Sequence, residues 1–189
     1  PGLVYPANAG FLLPLDAEKP PSEKHLFLST LLATRAAERA HYDRVVRAAG
    51  FRTAAVPEHL RFEGEADFFP AGAVHLLTHG RLEEQRFVAH LGVPPWKRVY
   101  GFRTDARALS FLAPLVAPRP VLRVELVLEA HYHGDTALCA FGPQREYLLA
   151  WKPAIEAESW ERLRETFGEH LLELGDDDAA RYAANAFTY

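Results

Sequence analysis

Residues 129–136 read Glu-Ala-His-Tyr-His-Gly-Asp-Thr and set His131, His133 and Asp135 at alternate positions. They follow an apolar-rich run over 121–128, which predicts a buried strand. Side chains two apart on an extended strand point the same way, so the three are expected to project together from one strand end. A histidine beside a carboxylate suits general acid–base work, because the carboxylate fixes the tautomer and supports the imidazolium. The same trio could hold a metal ion. The blander alternative is a pair of edge histidines hydrogen-bonded to backbone.

Other polar residues stand near apolar stretches. Glu63, Glu65 and Asp67 crowd together beside Phe62, Phe68 and Phe69. Like charges this close repel, and a carboxyl against an apolar wall gains proton affinity; a solvated acidic turn is the plain alternative. Arg103 precedes a helix expected over 106–115, where its guanidinium could clamp a carboxylate with two parallel hydrogen bonds, or form a surface ion pair. Asn8 falls in a tight turn before Phe11-Leu12-Leu13.

The elements that must position these residues alternate along the chain. Strands are expected over 3–5, 25–29, 51–56, 73–78, 121–128, 147–151 and 171–174, with an extended run at 11–13. Helices are expected over 30–49, 106–115 and 157–167, and a short one from 176 to 182. Residues 16–24, with Pro20-Pro21, form a loop, and 81–90 reads as a short helix or an excursion closed by Pro94-Pro95. Strand–helix–strand order recurs in units of similar length. Ala7-Asn8-Ala9 reappears as Ala184-Asn185-Ala186, each beside an extended run. Together these suggest an α/β repeat closing around an axis.

Composition narrows the function classes. With 189 residues, 49% apolar and 24% charged, the chain suits one soluble domain. A net charge of -4 gives no electrostatic reason to expect nucleic acid or an anionic membrane. No apolar run reaches the length of a membrane span. The single cysteine, Cys139, rules out an intrachain disulfide and fits a reducing compartment such as the cytoplasm. Both ends fall in strand-like sequence, so a single domain over 1–189, truncated at both ends, is expected.

Four segments in order resemble the amidinotransferase, or guanidino-group-modifying, superfamily, which includes arginine deiminase, dimethylarginine dimethylaminohydrolase and glycine amidinotransferase. They are Val4-Tyr5-Pro6-Ala7-Asn8-Ala9-Gly10, Phe62-Glu63-Gly64-Glu65-Ala66-Asp67, Gly101-Phe102-Arg103-Thr104 and Tyr132-His133-Gly134-Asp135-Thr136; Ala184-Asn185-Ala186 matches a fifth. The resemblance implies an α/β fold, a pseudo-fivefold β/α propeller (pentein), incomplete in this chain. It implies a cysteine nucleophile that attacks a guanidinium carbon, with no cofactor. By resemblance His133 is the general acid–base and Glu63 its carboxylate partner. The acidic segment is one residue longer than the family pattern, which makes Glu65 an alternative partner. Asp135 and Asn8 bind the guanidinium, and Arg103 the substrate carboxylate. Deiminases carry aspartate at the Asn8 position; asparagine there points towards arginine dihydrolases. The family nucleophile lies C-terminal to the segment matching Ala184-Asn185-Ala186, and Cys139 stands at a position the family does not use. The expected partner is a small guanidine, with homo-oligomerisation and hydrolase versus transferase left open. Two alternatives stand beside this: a metallohydrolase built on His131, His133 and Asp135, and a non-catalytic propeller acting by binding alone.

Overall fold

The computed structural model describes residues 5–81, 86–90, 93–99 and 101–186. Three ββαβ units follow one another. The first holds β1 (Gly10–Leu13), β2 (His25–Leu28), α1 (Glu38–Ala48) and β3 (Arg52–Ala55). The second holds β4 (Phe68–Ala71), β5 (Val74–His79), an inserted hairpin of β6 (Arg86–His90) and β7 (Val93–Val99), α2 (Leu109–Val116) and β8 (Val121–Glu125). The third holds β9 (Leu138–Phe141), β10 (Tyr147–Ala150), α3 (Ala157–Phe167) and β11 (Leu171–Glu173), after which comes the short helix α4 (Asp176–Ala179). In each unit the first strand pairs antiparallel with the second, and the second pairs parallel with the third across the helix. The parallel pair needs a crossover, which the helix supplies.

The middle sheet carries the core because both its faces are covered. Along β4 and β5, Phe68 and Leu77 pack with Phe11, Phe62 and Leu112 towards the first unit. Phe69 and Leu76 pack with Leu138, Leu148 and Leu163 towards the third. This alternation is the period of two of a strand buried on both sides, and every residue of β4 and β5 except His79 is buried. α3 shows why a helix forms where the pattern predicts one. Glu156 caps it by accepting from the backbone N–H groups of Glu158 and Ser159 at 3.0 and 2.9 Å, Trp160, Leu163 and Phe167 face inward, and Gly168 ends it at φ +54°.

Several expectations change. α1 starts at Glu38 rather than residue 30, because the backbone of Thr30 pairs with Phe62 in an isolated β-bridge, its N–H donating to the Phe62 carbonyl at 2.9 Å. The segment 86–90 is a strand of the inserted hairpin, not a helix. β8 stops at Glu125, and residues 129–136 are not strand at all: they form two 3-10 turns, Glu129–His131 and Gly134–Thr136. The strand expected over 3–5 lies largely outside the described residues, as does the extended run expected beyond Ala186.

A 3-10 turn precedes the first strand of every unit: Pro6–Ala9 before β1, Gly64–Ala66 before β4 and Gly134–Thr136 before β9. Asn8 lies in the first, Glu63 directly before the second and His133 directly before the third. The quasi-repeat therefore delivers one polar side chain per unit to the same end of the molecule. Gly64 lets the first two turns meet: at φ +68° it is left-handed, and a Cβ there would run into the backbone of Ala7 and Gly10.

Candidate active site

His133 is 7% exposed and lies between two buried carboxylates. Its Nδ1 donates to Asp67 Oδ2 at 3.1 Å, and its Nε2 lies 3.3 Å from Glu63 Oε2. Asp67 is saturated with donors. Its Oδ1 accepts from Thr78 Oγ1 at 2.7 Å and from the Gly134 N–H at 2.9 Å, and its Oδ2 accepts from Thr104 Oγ1 at 2.7 Å as well as from His133. A carboxylate held by this many donors is fixed in place, and it fixes the ring it contacts. Thr104 Oγ1 also accepts from the Glu63 N–H at 3.2 Å, tying the two carboxylate segments together. At Gly134 a Cβ would strike Thr78, so this turn requires glycine to keep the Asp67 network closed.

Burial works against an imidazolium at His133, but the adjacent Asp67 and the Glu63 carboxylate outweigh it and push its pKa up to about 10. At neutral pH the ring is therefore a proton donor, with Nδ1 engaged by Asp67 and Nε2 turned towards Glu63 and Asn8. Asn8 Nδ2 lies 3.4 Å from Glu63 Oε2 and 3.3 Å from His133 Nε2. An amide N–H and an imidazolium N–H cannot donate to one another, so the orientation of the Asn8 amide follows the charge on His133.

The residues singled out from sequence separate into groups. Asn8, Glu63 and His133 meet directly. Arg103 is 4% exposed, places its guanidinium 4.8 Å from the centre of the Tyr132 ring, and keeps a buried Nη1 with no partner among the described residues. Burial lowers its pKa, and the Glu63 charge acts in the opposite direction. Glu63 Oε1 is likewise buried without a partner, an acceptor with room for a donor. Asp135 lines a neighbouring cavity of about 140 Å3 with Glu65, Cys139, Arg145 and Ala184. Burial raises its pKa to about 6, against the opposing pull of His133 and a side-chain hydrogen bond from Asn185. That bond gives the second Ala-Asn-Ala segment a place beside the site.

Glu65 does not reach His133; its Oε1 accepts from the Leu12 N–H at 3.3 Å. The expected convergence of His131, His133 and Asp135 is not seen, because the turns rotate His131 away. Its Nδ1 faces the Thr136 carbonyl at 2.9 Å, and its ring packs on Trp151 and Tyr182 at 4.7 and 5.1 Å. Among the described residues, no group of three or more His, Cys, Asp or Glu side chains is arranged to hold a metal ion. Cys139 is half-buried in β9, where burial raises its thiol pKa and works against a thiolate.

Two residues were not assigned a role from sequence. Asp67, read only as one of three crowded acids, orients His133; its spacing of four from Glu63 was the available signal. Arg35 was placed inside a helix. Its Nη1 lies 3.5 Å from Glu63 Oε2 while its other nitrogens hold Glu38 at 2.9 and 3.0 Å, and no sequence signal marked this contact.

Neither a family model nor a curated protein matches the sequence. Solved structures do. ArgZ, an arginine dihydrolase from the ornithine-ammonia cycle in Cyanobacteria, is similar over the whole of this chain, with a TM-score of 0.76 and 24% identity. The N-terminal domain of ArgZ bound to substrate gives a TM-score of 0.77 at 23% identity. The chain covers 25% of ArgZ and 59% of that N-terminal domain. DDAH from Pseudomonas aeruginosa, complexed with citrulline, matches 87% of this chain with a TM-score of 0.52 and 17% identity, and the match covers 52% of DDAH. Three ββαβ units with their polar turns in order, and this likeness along the whole chain, establish that the molecule has a β/α-propeller (pentein) fold, of which it spans a part.

Proposed function

We propose that this chain forms part of a hydrolase acting on the guanidinium group of arginine or a related guanidine. The observation that carries the reading is His133, charged and oriented by Asp67, with its Nε2 facing Glu63 and Asn8. A planar guanidinium suits such a pocket: it donates five N–H bonds, and Glu63 Oε1 and Asp135 supply acceptors. Arg103, with its unpartnered buried N–H, suits the carboxylate of an amino-acid substrate.

In the proposed reaction a cysteine thiolate from beyond these residues attacks the guanidinium carbon. As the S–C bond forms and a C–N bond breaks, His133 Nε2 gives its proton to the departing nitrogen. The neutral imidazole then takes a proton from water, the hydroxide adds to the carbon, and the S–C bond breaks to release the thiolate as the C=O forms and the hydroxyl proton passes to solvent. Similar proteins support this route: a cysteine-to-serine variant of the ArgZ N-terminal domain is bound to substrate, and another variant is covalently bonded to a reaction intermediate. Asn8 supports a dihydrolase. An uncharged amide can hold the neutral ureido product of a first hydrolysis as readily as the cation that preceded it.

The test is turnover by the full-length protein. His133→Ala is expected to lower turnover of arginine on the order of a thousandfold while leaving the protein folded, and undiminished turnover would reject the role. Asp135 adds a pH dependence. Its carboxyl ionises about pH 6, and only the anion attracts a guanidinium, so arginine affinity is expected to weaken as pH falls through about 6. Affinity that stays level between pH 7 and 5 would remove Asp135 from the binding site.

A further inference from the structure

The ends of the first two units remote from His133 form an open pocket of about 470 Å3. Its place follows from strand direction. Leu13 ends β1, His25 opens β2, His75 stands one residue into β5, and Arg119 lies between α2 and β8. The polar turns of the candidate active site precede β1, β4 and β9, at the other end. The walls are apolar, with Leu13, Phe27 and Leu115 among them, while the polar groups are His25, His75 and Arg119. No acidic side chain is among the described residues that line it.

His75 is 4% exposed, and its ring stacks on Phe68 with centroids 5.0 Å apart. Its Nδ1 is buried with no partner among the described residues. Burial and the Arg119 guanidinium lower its pKa to about 4, so the ring is neutral at pH 7. A neutral imidazole carries one N–H and one lone pair. Whichever nitrogen carries it, that one N–H is available to donate a hydrogen bond to an anion. A guanidinium and two imidazoles without a lining carboxylate make an anion site, and the apolar walls select what the anion is attached to. The volume falls in the range of pockets that enclose small molecules.

We propose that this pocket binds a small organic carboxylate with an apolar body, its carboxylate held by Arg119, His25 and His75 and its body by Leu13, Phe27 and Leu115. The experiment is isothermal titration of phenylacetate into the full-length protein, with butyrate and inorganic phosphate as comparison probes and the histidine ring nitrogens followed by NMR. Phenylacetate is expected to saturate one site and shift the His75 ring signals. Phosphate is expected to bind about tenfold more weakly or worse, since it gains nothing from the apolar walls. Arg119→Gln is expected to weaken phenylacetate about tenfold or more, and Leu115→Trp to block it. Saturating arginine, which the proposed guanidine site takes, is expected to leave phenylacetate binding unchanged, so the two sites fail or stand separately. Absence of saturable binding by both carboxylates, phosphate binding as tightly as phenylacetate, full affinity in Arg119→Gln, or displacement by arginine would each overturn the proposal.

Discussion

His133 and His75 are the same side chain, both more than nine-tenths buried and both packed against the middle unit at its opposite ends. One is pushed up to about 10, the other down to about 4. Burial acts in the same direction on both, so it cannot account for the difference. The neighbouring charges do: two carboxylates face His133, whereas Phe68 and the Arg119 guanidinium lie beside His75. A histidine thus becomes a proton donor or a neutral wall group according to the two or three side chains that the fold places around it.

Removing the anion beside His133 should make it resemble His75. Asp67→Asn is expected to lower turnover about a hundredfold and to destabilise the protein by about 3 kcal/mol, because it leaves a buried cation with half its support. Denaturant unfolding across pH sharpens the point. A group whose folded pKa is raised contributes stability below its unfolded value of about 6.5, and that contribution is lost as pH rises through about 10. The wild type should therefore lose stability across this window, and Asp67→Asn should lose less. An equal loss in both would place the titrating group elsewhere. The reverse exchange is smaller. Arg119→Glu removes a cation and adds an anion near His75, so its pKa is expected to rise from about 4 towards the ordinary histidine range, read from ring nitrogen shifts. No movement would mean that burial alone holds it down.

Much of the architecture was legible because it rests on local patterns. α3 is bounded by Glu156 and Gly168, and its apolar residues recur at helical spacing, so its limits could be read directly. The repeated strand–helix–strand order pointed to an α/β repeat closing around an axis, and the family resemblance implied that it was a propeller. What could not be read depends on contacts distant in the chain. His131, His133 and Asp135 alternate as strand residues do, yet the backbone turns twice through them, held by Gly134 against Thr78 and by the Gly134 N–H on Asp67. Asp67 lies 66 residues from the ring it orients, and its spacing of four from Glu63 did not by itself single it out among the three acids. The early start expected for α1 failed for a similar reason: the backbone of Thr30 is committed to a β-bridge with Phe62, 32 residues away.

The central claim is that His133 is a buried, carboxylate-held cation able to give up a proton. The direct measurement is an NMR titration of the histidine ring nitrogens in the folded protein from pH 5 to pH 9. His133 is expected to remain doubly protonated through pH 8, while His75 stays neutral down to pH 5. A His133 ring that loses its proton near pH 6.5 would contradict the charge balance described here, and the acid role built on it.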